Sequence, residues 1–449
     1  MQNQIIKYLF ALLITSSMFQ LSAQSEEGLK FSLKEAQEYA IKHSYQSRTA
    51  MLEVEKSERK VKETIGLGLP QVNASASYQN FLELPVQLIP AESFGGPPGE
   101  FAEVVFGVEQ QLGVDATATQ LLFDGSYFVG LQAVKVYKQL AENDLSRSEL
   151  EVKNLVLQSY GSVLVAENAS ELQKGIYENL ENNFKEAEAR FEEGFLAQED
   201  KDQIELLYIN ARNASQQAER QIPIVRAQLK FLLGIPLSKE ILLTDSLFPL
   251  LETLPGQEFL EAEYDITNHI DYKIAATQLE ASELQMKQKR STYLPKLNAF
   301  FTYQENSFSN EFDFFSGANW YPTQLLGVNL SLPIFSGLSR HNQVQQARIE
   351  VEQVDLNRQA VEQQLQINLN KAKSDYLFAL QQFENRKENW ELAQRIYRNT
   401  EVKYREGLSG STDLTQANNQ RDESLANYVQ AALQLINAKA ELNQALNIR

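Results

Sequence analysis

The chain has 449 residues and a net charge of −18, so it lacks the basic face a nucleic-acid binder needs. With no cysteine, thiol nucleophiles, disulfides, thiolate metal sites and a lipid-anchoring cysteine are all excluded. Only 20 Gly and 12 Pro interrupt a chain rich in Gln, Asn, Glu and Ala, a composition that favours long helices.

The first 23 residues read as a signal peptide. Lys7 supplies a positive start, Tyr8 to Phe19 form an apolar stretch too short to span a bilayer, and Leu21-Ser22-Ala23 is a small-residue cleavage site. The expected product is an exported chain from 24 onward, and no later run of about 18 apolar residues predicts a membrane helix.

Thereafter the sequence is written twice. Leu69-Pro70-Gln71-Val72-Asn73 reappears as Leu294-Pro295-Lys296-Leu297-Asn298, and Phe123-Asp124-Gly125 as Phe335-Ser336-Gly337. Ala189 to Gly194 with Asp200 matches Val402 to Gly407 with Asp413. His43 pairs with His269, each seven residues before an alanine, and Leu233-Gly234-Ile235 pairs with Leu446-Asn447-Ile448. Five correspondences in one order, at offsets of 212 to 226, define a first repeat over 24–234 and a second over 258–449. Pro236, Pro249 and Pro255 mark 235–257 as an irregular linker.

Each repeat predicts a helix, two strands, a very long helix, a sharp turn and a shorter helix. In the first repeat the helices are expected at 32–64, 126–190 and 199–233. In the second they are expected at 258–292, 338–405 and 411–446. The long helices carry apolar or small residues at spacings of three and four, among them Val152, Leu155, Ser159, Ile176 and Leu180, then Leu365, Ala372, Tyr376, Ala379 and Phe383. Their shorter partners repeat the pattern with Ile204, Leu207 and Ala211, then Leu414, Ala417 and Leu425. Small seam residues let helix axes approach closely. A helix of ~65 residues would extend about 98 Å, more than a compact globule needs.

Four segments alternate with a period of two: 72–79, 112–119, 297–304 and 326–332. Val72, Ala74, Ala76 and Tyr78 oppose Asn73, Ser75, Ser77 and Gln79, and the other three follow suit, although Phe300 interrupts the polar side of its strand. Such a dyad suits a membrane barrel strand, and equally a half-buried soluble sheet. The export signal and the long rods favour the membrane. The connections at 85–108 and 305–324 read as mobile outward loops, with interfacial aromatics at Phe312, Phe314, Phe315, Trp320 and Tyr321.

Lipid tolerates no open sheet edge, and the smallest bacterial barrels use about eight strands. Four strands per chain therefore require pooling with other copies. A closed homotrimer gives about twelve strands and a lumen.

The duplicated Leu-Pro approaches, Phe-x-Gly exits and aromatic-x-x-Gly turns (Phe191 to Gly194, Tyr404 to Gly407) resemble those of the TolC family of outer-membrane efflux proteins. The resemblance spans nearly the whole mature chain. It implies a mainly α chain with a small β part: antiparallel coiled-coil helices forming a periplasmic tunnel, with four strands per chain contributing to a trimeric 12-stranded transmembrane barrel. It implies a passive exit duct that works with a periplasmic adaptor protein and an inner-membrane transporter, sits in outer-membrane lipid, and has neither catalysis nor a cofactor. It places Phe191, Gly194, Tyr404 and Gly407 at the periplasmic tip where the adaptor docks. It places Asp200, Asp413 and Gln416 at the entrance constriction. Gln416 stands where the family's best-known members carry a second Asp, and Ser409 where they carry an Arg, so the polar latch of those members is not reproduced. Asp413 reads equally as a helix N-cap.

His43, His269 and His341 have no partner at a metal-ligand spacing, and no nucleophile elbow occurs. The competing class is a soluble periplasmic coiled-coil adaptor or structural rod, which would need only one helical hairpin and an attached β domain.

Overall fold

The structure is a computed structural model that describes residues 29–252 and 264–448; the signal-peptide reading of 1–23 lies outside the described residues. In chain order the elements are β1 (Leu29–Phe31), α1 (Leu33–His43), α2 (Tyr45–Gly66), β2 (Gln71–Asn80), β3 (Val86–Pro90), β4 (Phe101–Val105) and β5 (Gln110–Asp124). The long helix α3 (Gly125–Glu192) and its partner α4 (Gln198–Leu233) complete the first repeat, followed by β6 (Ile241–Leu243) and α5 (Leu247–Glu252). The second repeat holds α6 (Ile270–Ser291), β7 (Lys296–Ser309), β8 (Trp320–Ser331), α7 (Ser339–Arg405) and α8 (Ser411–Ala445). The order helix, strand, strand, long helix, shorter helix thus occurs twice, with the first helix of repeat one broken into α1 and α2 and the hairpin β3-β4 inserted between its sheet strands β2 and β5.

The chain packs as two units, and each repeat contributes to both. One unit comprises Met1–Ala50, Ser146–His269 and Gln364–Arg449. Its core is the apolar seam of the helices: Tyr160, Leu180, Ile204, Leu229, Tyr376, Leu414, Leu425, Tyr428 and Leu435 are all buried. Small seam residues do allow close approach, since a Cβ on Gly161 of α3 would lie 2.7 Å from Ile436 Cδ1 of α8.

Two expectations are corrected in this unit. The helix expected over 32–64 breaks at Ser44, which has an extended ψ of 148°. Its hydroxyl then accepts from the Ser47 amide at 3.2 Å and so starts α2. Gly234, at φ +73°, ends α4 against this break, where a Cβ would sit 2.3 Å from the His43 carbonyl oxygen. The described part of the expected linker, 235–252, is not simply irregular: β6 pairs in parallel with β1, Leu29 opposite Ile241, and α5 follows; 253–257 lie outside the described residues. Ile235, Ile241, Leu247 and Leu251 are buried, so apolar burial outweighs the prolines. Pro249 falls in the first turn of α5, where a missing N–H is harmless. The Asp245 carboxylate accepts from the Leu33 amide at 2.7 Å and lies 3.1 Å from the Tyr160 hydroxyl, fastening this segment to α1 and α3.

The other unit comprises Met51–Leu145 and Ile270–Gln363. It holds one antiparallel sheet in the order β2-β5-β7-β8. Lys138 of α3 bridges to Glu58 of α2 at 3.0 Å, and Arg358 of α7 donates to the Tyr272 hydroxyl of α6 at 2.9 Å. Gly125 opens α3 where a Cβ would lie 2.5 Å from Leu294 Cδ1, which explains the glycine in the Phe-x-Gly exit. The connection at 85–108 is more ordered than a mobile loop. It contains the hairpin β3-β4, turned through a short 3-10 helix (Ala91–Phe94), with Gly95 and Gly99 at positive φ.

Candidate functional site: the sheet faces and the helix reversals

The ladder register brings all the alternating segments into phase. Val72, Ala118, Phe301 and Leu326 lie in one cross-strand row, and Ala74, Ala116 and Tyr303 in the next. With Ala299 opposite Val328 and Leu297 opposite Leu330, they form one apolar face. Most of it is open to the surroundings, including Val72, Leu326, Val328 and Leu330. The opposite face carries Asn73, Thr117 and Thr302 in one row, which ends on the exposed Leu325, and Ser75, Asp115, Gln304 and Thr323 in the next. Its side chains bond to each other: Thr117 and Thr302 hydroxyls are 3.0 Å apart, and Ser75 bonds to Asp115. Phe300, the exception in the pattern, lies over Gly327, where a Cβ would be 2.6 Å from the ring. Among the described residues β2 and β8 pair on one side only, so the sheet has two open edges.

In the first unit, the two reversals α3-α4 and α7-α8 share one geometry. Gly194 (φ +78°) and Gly407 (φ +73°) occupy the left-handed position. The amides of Phe195 and Leu408 donate back to the carbonyls of Arg190 and Lys403, each at 2.8 Å. This closes a Schellman turn, and a Cβ at the glycine would oppose the required φ. Phe191 and Tyr404, three residues earlier, are half-buried. The Tyr404 hydroxyl has no hydrogen-bond partner among the described residues. Burial, then the charge of Asp200, raises its pKa. Sequence reading missed the next pair: Phe195 and Leu408 are 78% and 73% exposed. In a Schellman turn this position commonly packs back on the helix; only the structure reveals that neither does.

The repeated aspartates do different work. Asp200 accepts from the buried Ser411 hydroxyl at the start of α8, and Gln203 Oε1 lies 2.7 Å from that hydroxyl. Asp413 stays exposed and accepts from the Gly410 amide at 3.4 Å, the helix-cap arrangement. Gln416 is exposed on the same helix. The structure therefore ties α4 to α8 through Asp200, and does not bring Asp413 or Gln416 to a partner helix.

A second tie, also unseen in the sequence, joins α3 to α7. Glu401 Oε1 accepts from Asn179 Nδ2 at 2.9 Å and from Asn183 Nδ2 at 2.8 Å. The Tyr397 hydroxyl donates to Asn179 Oδ1 at 2.8 Å. Arg405 donates to Asn183 Oδ1 at 2.8 Å and stands 3.5 Å from Glu186. The buried Arg421 of α8 stacks its guanidinium 3.7 Å above the Tyr397 ring. Burial pushes the Tyr397 hydroxyl up to about 12, so it stays a donor at neutral pH. The partners are spread over 222 residues of sequence, a separation no local motif spans.

These features can be set beside known proteins. Residues 266–447 match the family model of outer membrane efflux proteins. No curated protein sequence matches the chain. Among solved structures, the chain is similar to CusC, with a TM-score of 0.71, 14% identity, and coverage of 96% of this chain and 95% of that one. It is similar to the Campylobacter jejuni CmeC outer membrane channel (TM-score 0.67, 17% identity, 92% and 85% covered). It is also similar to the open state of the Neisseria gonorrhoeae MtrE outer membrane channel (TM-score 0.69, 17% identity, 92% and 88% covered).

Proposed function

We propose that this chain, whose residues 266–447 match the outer membrane efflux protein family, is a member of that family and the outer-membrane exit duct of an export system. It carries cargo passively across the periplasm and the outer membrane. One observation carries the reading: among the described residues, a four-stranded sheet with a largely apolar, exposed face and two open edges. In hydrocarbon, unpaired edge N–H and C=O groups cost several kcal/mol each. Three copies close the sheet into a barrel of about twelve strands, apolar face to lipid and polar face to the lumen. The family is one of transport channels, and the chemistry required is conduction with a gate. A soluble adaptor rod has no use for such a face.

The gate we assign to the polar ties. Glu401, Tyr397 and Arg405 hold α7 to α3, while Ser411 and Asp200 hold α8 to α4. Releasing them frees one helical pair to move relative to the other and widens the entrance. Asp200, Asp413 and Gln416 line that constriction. Phe191, Gly194, Tyr404 and Gly407 shape the tips, whose exposed Phe195 and Leu408 suit the apolar tips of an adaptor's helical hairpins. An inner-membrane transporter completes the assembly.

The test is a planar bilayer recording of the detergent-purified protein. Discrete channel openings are expected. A silent bilayer, or extraction of the protein from membranes by salt alone, contradicts the reading.

A further inference from the structure

The polar face of the sheet carries almost no charge. Its ladder rows run from Gln71, Thr119, Phe300 and Gly327 at the helix end to Gln79, Gln111 and Phe308 at the loop end. Across these rows Asp115 alone is charged, and Ser75 bonds to it. No Lys or Arg occurs between Lys62 and Lys135 or between Lys296 and Arg340, so neither the rows nor their loops offer a cation to a phosphate, sulfate or carboxylate. Walls that select ions are built from rings of like charge; this one is built from hydroxyls, amides and a few rings. Phe308 and Tyr321 stand on adjacent strands of this face, ring centroids 6.1 Å apart, and are 46% and 54% exposed. The loop aromatics leave them uncovered, because Phe312 and Phe314 pack instead on Tyr78 of the apolar face, at 5.6 and 6.0 Å. The rows of the pair also hold Ser77, Gln79 and Gln111, whose side chains form no hydrogen bond among the described residues.

We propose that this face is a binding wall for an uncharged, hydroxyl-rich chain, an oligosaccharide, held at the mouth by Phe308, Tyr321 and Gln111. A sugar ring has an apolar C–H face that packs on an aromatic ring, and a rim of hydroxyls that donate to and accept from amides. An exposed pair of rings beside unclaimed amide and hydroxyl groups, with no charge to desolvate, matches both parts. The inference rests on the duct reading, which turns this face to the lumen, and adds the class of cargo. Phe300 and Leu325 continue the apolar track on the same two strands. Phe300 lies about 27 Å from Phe308 along β7 at the usual antiparallel rise. Several linked sugars cover that span, and a single small molecule does not.

The test adds maltohexaose, a neutral chain of glucose units, to the full-length protein conducting in a planar bilayer. Transient current blocks that grow more frequent with sugar concentration are expected. Polyethylene glycol of similar mass is equally neutral but has no hydroxylated rings, and should give none at the same concentration. Phe308→Ala with Tyr321→Ala should raise the half-blocking concentration about tenfold, the scale of lost aromatic contacts, and leave the sugar-free conductance near that of wild type. Should that double variant form no channels, Gln111→Ala keeps both rings and is expected to raise it about threefold, the scale of one hydrogen bond. A conducting wild-type channel that maltohexaose does not block, or blocks no better than polyethylene glycol, overturns the cargo class. So does a conducting variant blocked as strongly as wild type. A silent wild-type bilayer contradicts the duct reading instead.

Discussion

At the residue scale, polar side chains decide how the helices are tied. Asp413 caps its own helix, yet it remains exposed. Three copies around an axis would make a negative ring that attracts cations. Asp413→Ala is expected to lower cation over anion permeability about twofold in a salt gradient; unchanged reversal potential would reduce Asp413 to a helix cap. Lys439 is a different case. It is buried on α8, with its ammonium 5.8 Å from the centre of the Tyr376 ring, and burial lowers its pKa to about 8. The folded pKa lies below the ordinary value, so between about pH 8 and 10.4 the unfolded chain binds more protons and stability rises with pH. As pH falls through 8 that contribution is lost. Lys439→Met should remove the slope and raise the thermal midpoint at pH 7, by an amount on the order of 2 kcal/mol of stability. Equal slopes in mutant and wild type between pH 7.5 and 9.5 would contradict this.

At the scale of elements, the tie between α3 and α7 is the part with the largest mechanistic consequence. Removing the Glu401 carboxylate leaves the Asn179 amide without its acceptor and the Asn183 amide with only the Tyr397 hydroxyl at 3.1 Å, a loss of roughly 1–3 kcal/mol. On the proposed gate, which opens by releasing this tie, Glu401→Ala is expected to shift the gate toward opening and raise single-channel conductance severalfold, with assembly intact. Conductance equal to wild type would show that the tie does not restrain the gate. The long helices and their shorter partners were legible in the sequence to within a few residues, since seam residues such as Leu180 and Leu425 recur at helical spacing and mark the buried side; the helix expected from 258 begins only at Ile270, after a 3-10 turn over Ile266–Asn268. The break at Ser44 was not, because serine is an ordinary helix residue until the Gly234 contact fixes its place. The pairing of β6 with β1 was hidden too: three-residue strands leave no period, and the nearby prolines dominated the reading. The Glu401 network was illegible for another reason. Its residues look like solvated helix charges, and only the folded register brings Asn179 and Asn183 opposite them.

For the molecule as a whole, duplication sets the function. Two similar reversals per chain present Phe195 and Leu408 as equivalent apolar tips, so the three chains of the proposed assembly would offer six. The double variant Phe195→Ser with Leu408→Ser should keep its oligomeric state and conductance but lose export in cells, because on the proposed assembly it removes only adaptor docking. Retained export would move the docking surface elsewhere. The strands were readable from alternation, though not their place in a barrel, and their common phase was not; it became visible when the ladder placed Val72, Ala118, Phe301 and Leu326 in one row. The central claim is that one chain cannot close this sheet. Its most direct test is the protein mass of the detergent-solubilised particle by light scattering. Three protomers per particle are expected, and a stable lone protomer would contradict the account.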